Sequence, residues 1–129
     1  MTIARRPVLA GFALAMLGAP ALAREFRMEE ELYGMVGKIK AQPGKRAELV
    51  ALLSGGTADM PGCIAYLIAE DLGDADGIWI TEVWKTKQFH ADSLKLPAVR
   101  DAIAKGRPLI AGFETHVETR PVTGAGIRG

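Results

Sequence analysis

The sequence predicts an α+β fold of the ferredoxin-like, split βαβ kind: an antiparallel sheet with helices on one face. Three observations predict it. Short apolar runs with two-residue alternation occur at 33–41, 63–70, 78–85 and 113–121, bounded by Gly, Pro or Asp. Helical spacing of apolar residues fills 46–54 and, around Pro97, 88–110. Only the polar loop 71–77 separates the two middle strands, so they form a hairpin and complete the order strand, helix, strand, strand, helix, strand.

Residues 1–23 read as an export signal. Arg5 and Arg6 form a basic start, 8–17 is apolar, and Ala21-Leu22-Ala23 gives a small-x-small cleavage pattern. The apolar run falls short of the about 20 residues that span a bilayer, although an uncleaved anchor is the alternative. The Arg-Arg pair before Pro7-Val8-Leu9 also matches part of a twin-arginine signal. A periplasmic or secreted protein is expected. Residues 24–32 are charged and aperiodic, which suits a linker; the domain then covers 33–122, and 123–129 is a flexible tail.

Within the domain, Tyr33, Met35 and Ile39 alternate with polar or small neighbours in the first strand. Gln42-Pro43-Gly44-Lys45 is a turn. Leu49, Val50, Leu52 and Leu53 then share one side of a helix that Gly55-Gly56 ends or loosens. Met60-Pro61-Gly62 turns into a strand carrying Tyr66. In the next strand Trp79 and Val83 point opposite to Ile78, Ile80 and Trp84. Proline opens helices but breaks their interiors, so a short helix is expected before Leu96 and a longer one from Pro97 or Ala98 to about Lys105. In the last strand, strict alternation sets His116 opposite Phe113, on a more polar face with Glu114 and Glu118. Both faces of the sheet are apolar; helices cover one and a second copy of the chain covers the other, as a homodimer.

With 16 Lys and Arg against 15 Asp and Glu, and the two arginines of the signal removed, the chain is near neutral. It carries no electrostatic footprint for nucleic acid or for an anionic membrane surface after signal cleavage. The sole cysteine, Cys63, excludes an intrachain disulfide; it is a buried apolar side chain or a bridge to a second chain. There is no G-x-S-x-G elbow, P-loop or dinucleotide fingerprint, and His90 and His116 lack the spacing of a metal site. The informative stretch is 78–99, where Trp84 and His90 flank a strand-to-helix junction of the kind that aims polar groups into pockets.

Pro61-Gly62-Cys63 before the Tyr66 strand, then Glu82-Val83-Trp84, His90 and Leu96-Pro97-Ala98-Val99, resemble the antibiotic biosynthesis monooxygenase family. The run Arg107-Pro108-Leu109-Ile110-Ala111-Gly112-Phe113 and Pro121-Val122 extend the likeness, which is greatest to the branch described as quinol monooxygenases. The resemblance covers Tyr33 to about Val122. It implies a dimeric α+β barrel with a pocket between sheet and helices, and oxygenases of quinols or anthrones that use no flavin, metal or haem. Haem-degrading relatives rely on an Asn with a Trp and a His, and this chain has no Asn. Many relatives also carry their His further beyond the Trp, nearer to where Ser93 stands.

Oxygenation without a cofactor needs a substrate that supplies its own electrons after losing a proton. His90 suits the base, since an imidazole titrates near neutrality. Trp84 and Tyr66 can wall an aromatic ring, Ser93 shares a helix face with His90 at i+3, and Arg107 or Arg100 can hold an anion. Each also has a structural reading: Trp84 and Tyr66 as packed aromatics, His90 as a solvated or locally bonded imidazole. The expected function is therefore an exported, cofactor-independent monooxygenase that oxidises a small quinol or related polyphenol with O2. A dimeric module that binds a small aromatic ligand without catalysis is the alternative.

Overall fold

Four antiparallel strands lie in the order β2-β3-β1-β4, with the helices packed on one face of the sheet. The computed structural model describes residues 31–126, which belong to one compact unit. The expectations for the signal segment, for most of the linker and for 127–129 of the tail lie outside them. The elements are β1 (Tyr33–Ala41), α1 (Arg46–Gly56), β2 (Cys63–Glu70), β3 (Gly77–Trp84), α2 (Lys87–Ser93), α3 (Pro97–Gly106), a 3-10 turn (Arg107–Leu109) and β4 (Ile110–Thr119). The expected α+β ferredoxin-like fold is the fold found. No helix among the described residues is long and apolar enough to cross a membrane.

Alternation decides what each strand buries. Tyr33, Ile39 and Ala41 of β1 and Ile78, Ile80 and Trp84 of β3 turn toward the helices, while Lys38 and Lys40 turn away. Leu49 and Leu53 of α1 close the core over Ile39, Ile78 and Ile80. A second cluster gathers Tyr33, Met60, Trp84 and Val99 at the other end of the sheet. Proline at the first position opens α3 behind an extended Leu96, as its fixed φ favours. Thr86 caps α2 by accepting a hydrogen bond from the Phe89 amide.

The Gly-Gly pair ends α1 as expected: the helix takes in Gly55 and stops at Gly56. A Cβ on Gly56 would stand 2.4 Å from Ala102 Cβ, so the glycine is the place where α1 and α3 touch backbone to backbone. Strand β4 begins at Ile110 and its register against β1 shifts between Lys38 and Ile39. Phe113 pairs with Ile39 and Thr115 with Lys38, which leaves Glu114 as the extra residue of a bulge. That extra residue changes the phase of the strand. His116 pairs with Gly37 and Glu118 with Met35, so both face the helices on the same side as Phe113, and Glu114 alone turns out to Lys38. The expectation that His116 lies opposite Phe113 is thereby corrected.

Candidate active site

A cavity of about 510 Å³ lies between the helix side of the sheet and helices α1 and α3. Its walls are mainly apolar, supplied by Ile39, Leu49, Leu53, Ile80, Ala102 and Ile110. Five polar or ionisable side chains interrupt them: Tyr66 from β2, Glu82 from β3, Thr115 and His116 from β4, and Arg107 from the turn after α3. Phe113, 73% exposed, stands on the cavity lining with Ile103 of α3 beside the open side. An apolar pocket with few convergent polar groups is the usual form of a small-molecule site.

The polar groups meet because of register. Tyr66 is directly across from Glu82, and Glu82 is directly across from Met35. His116 is across from Gly37, which has no side chain, so the space between carboxylate and imidazole stays open. Glu82 is the only acid on the cavity wall and is 7% exposed. Burial raises its pKa above the usual 4.5, opposed by the Trp84 hydrogen bond and by the charge of His116. Trp84 Nε1 donates to Glu82 Oε1 at 3.0 Å. Burial pushes the Tyr66 phenol up as well, and Glu82 and Cys63 add to it.

The residues that the sequence singles out divide into two groups. Tyr66 and Arg107 line the cavity. Trp84, His90 and Ser93 lie outside its lining. Trp84 is fully buried, with the His90 ring edge-on to it at 5.6 Å. His90 Nε2 stands 3.9 Å from Glu82 Oε1, and its other neighbour is the Tyr33 ring at 5.3 Å. Desolvation holds the imidazole below its ordinary 6.5, against the pull of Glu118. The Ser93 hydroxyl is spent locally, donating to the His90 carbonyl at 2.6 Å. Arg100 is exposed on α3 and does not reach the cavity lining.

Glu82 and His116 are the site residues that sequence reasoning missed. For Glu82 a signal existed: it shares the two-residue period of Ile78, Ile80 and Trp84, so a lone acid was placed on an apolar face. His116 had none, because the bulge at Glu114 sets its side. Tyr33 adds a polar contact beside the site; its hydroxyl donates to Glu118 Oε1 at 2.9 Å, and burial first, then that bond, pushes its pKa up to about 12. Among the described residues no three His, Cys, Asp or Glu side chains converge as a metal site.

The fold and cavity can be set beside known proteins. A structure from Chloroflexus aurantiacus, described as an antibiotic biosynthesis monooxygenase, is 54% identical in sequence and superposes with a TM-score of 0.73, covering 75% of this chain and 99% of that one. A cofactor-independent oxygenase from Streptomyces nogalater shares the fold alone, with a TM-score of 0.60 at 14% identity over 74% of this chain and 97% of its own. An uncharacterized protein of Synechocystis is 26% identical over 102 residues, which are 77% of this chain and 69% of its own. The antibiotic biosynthesis monooxygenase family model matches residues 32–105, from the entry to β1 to the last turn of α3. That match takes in Tyr66, Glu82, Trp84 and His90, and with it this chain belongs to the antibiotic biosynthesis monooxygenase family.

Proposed function

We propose that the protein is an exported, homodimeric monooxygenase that oxidises a small quinol or related polyphenol with O2 and uses no cofactor. One observation carries this reading: a single partly dehydrated carboxyl, Glu82, on the wall of an apolar cavity large enough for an aromatic ring. The Streptomyces oxygenase of the same fold works without a cofactor, which supports that part of the reading. Export rests on the pattern of residues 1–23.

A hydroquinone donates an electron readily once it has lost a proton. Glu82, its pKa raised toward neutrality by burial, takes the phenolic proton; Tyr66 and Phe113 flank the ring, and Arg107 and His116 face the developing negative charge. The phenolate passes one electron to O2, giving a semiquinone radical and superoxide. The two radicals combine through a new C–O bond, and the peroxide recovers the proton. Loss of water leaves one oxygen atom on the ring as a hydroxylated quinone, so substrate and O2 account for every electron.

Oxygen uptake by the purified, metal-free protein with a panel of hydroquinones tests the reading. Uptake well above autoxidation, with a hydroxylated quinone as product, is expected. Saturable binding of the same compounds without oxygen consumption would instead make the protein a binding module.

A further inference from the structure

His90 stands beside Glu82 but is not part of the cavity lining, and that position has a consequence for the proton. Four elements meet there. Trp84 of β3 donates to Glu82 Oε1, and His90 of α2 points Nε2 at the same oxygen from 3.9 Å. Tyr33 of β1 packs against the imidazole, and Glu118 and His116 of β4 act on it electrostatically, as does Lys87 from its own helix. The His90 side chain is 17% exposed, so solvent reaches it while Glu82 is nearly sealed. His90 Nε2 stands within ion-pair range of Glu82 Oε1.

We propose that His90 acts through Glu82 as a proton-holding partner. Resting on the function proposed above, Glu82 lifts the phenolic proton onto its cavity-side oxygen, the carboxyl turns to bring that oxygen to the imidazole, and the proton passes to His90 Nε2. His90 carries it as imidazolium while the anion reacts with O2, and returns it through Glu82 to the peroxide. No proton is gained or lost over the cycle. The gain is separation. A proton left on Glu82 lies beside the phenolate and goes straight back, whereas a proton on His90 has the carboxylate between itself and the anion. Burial shifts the carboxyl upward and the imidazole downward, which narrows the difference between their proton affinities. A gap of 3.9 Å in the ligand-free state closes with a small side-chain rotation, as catalytic hydrogen bonds often do on substrate binding. His90 is a positioning residue in this scheme and does not touch substrate.

The two histidines of the chain, His90 and His116, make the test direct. NMR titration of the full protein should show the His90 midpoint moving to lower pH in Glu82→Gln, because the carboxylate that favours the imidazolium is gone. A His90 midpoint unchanged by that substitution overturns the proposal, whatever the enzyme does with quinols. Kinetics give a second reading. His90→Gln should lower kcat by at least about tenfold with KM for the quinol unchanged, the low side of what a positioned proton acceptor contributes. Added imidazole should restore part of the kcat of His90→Ala. A KM effect alone, or loss without rescue, assigns His90 to packing and sinks the scheme. If wild type consumes no oxygen with any quinol but the titration shows the coupling, the pair stands and the quinol reading falls.

Discussion

Glu82 is where chemistry and stability pull in opposite directions. Its neutral form suits the buried site and its ionised form suits proton removal. Because its folded pKa lies above the ordinary 4.5, its contribution to stability is fully present below that value and is lost as pH rises through the folded pKa. Wild type should therefore lose thermal stability with rising pH above about 4.5 more steeply than Glu82→Gln, and calorimetry from pH 4 to 8 measures the difference in slope. The same substitution should lower oxygen-dependent turnover by about 10² or more. A variant as stable as wild type at neutral pH and nearly inactive is the expected pair of results; retained turnover would take Glu82 out of the proton step. Tyr33 behaves in the same sense at higher pH, with its stabilising effect lost only as pH climbs from 10 toward 12.

At the scale of elements, the two adjacent glycines of α1 make opposite predictions. A Cβ on Gly55 meets nothing within 4 Å, so Gly55→Ala should stabilise by about 0.5–1 kcal/mol through helix propensity. A Cβ on Gly56 meets Ala102 Cβ at 2.4 Å and the Ala98 carbonyl at 3.0 Å. Gly56→Ala should therefore force α1 and α3 apart and cost about 1–3 kcal/mol. For a domain of this size each kcal/mol moves Tm by roughly 4–8 °C, so thermal melts of the two variants should separate to either side of wild type. Equal shifts would mean that α1 does not meet α3 through Gly56.

That pair also marks where sequence reading stops. Local chemistry announced most elements: the Tyr33–Ala41 alternation, the Cys63–Glu70 strand and Pro97 at the head of α3 all agree with the structure. Gly-Gly reads locally as a helix end, and the helix does end at Gly56; that Gly56 also seats α1 against Ala102 of α3 shows only in the fold. Glu82 was legible in principle, as an acid in phase with Ile80 and Trp84. The side taken by His116 was not, because a bulge depends on how β4 pairs with β1, and nothing in Phe113-Glu114-Thr115 states that pairing. The cavity itself belongs to the same class: it exists where Gly37 leaves room between strands that are distant in sequence.

For the whole molecule, the side of the sheet away from the helices presents a row that crosses all four strands and is apolar but for Thr81. Leu67 pairs with Thr81, Thr81 with Val36, and Val36 with Val117, so one residue of each strand stands at the same level across the sheet. Leu67 is 60% and Val117 49% exposed. Lys38 does not break this row; it lies two residues further along β1, held by Asp71, Asp74 and Glu114 beside Trp79. A largely apolar band reaching from edge to edge is the kind of surface that another copy covers, and the proposed homodimer places it there. Packing two such faces together buries apolar area at both copies with the charged network at the margin, the arrangement of a stable interface. Sedimentation should then give twice the mass of the single chain for wild type. The double substitution Leu67→Lys with Val117→Lys puts two like charges on each copy of the row and should yield monomer with an unchanged far-UV spectrum. Dimer that persists in the double variant would mean that the copies join through another surface, and a wild-type monomer would leave the row uncovered.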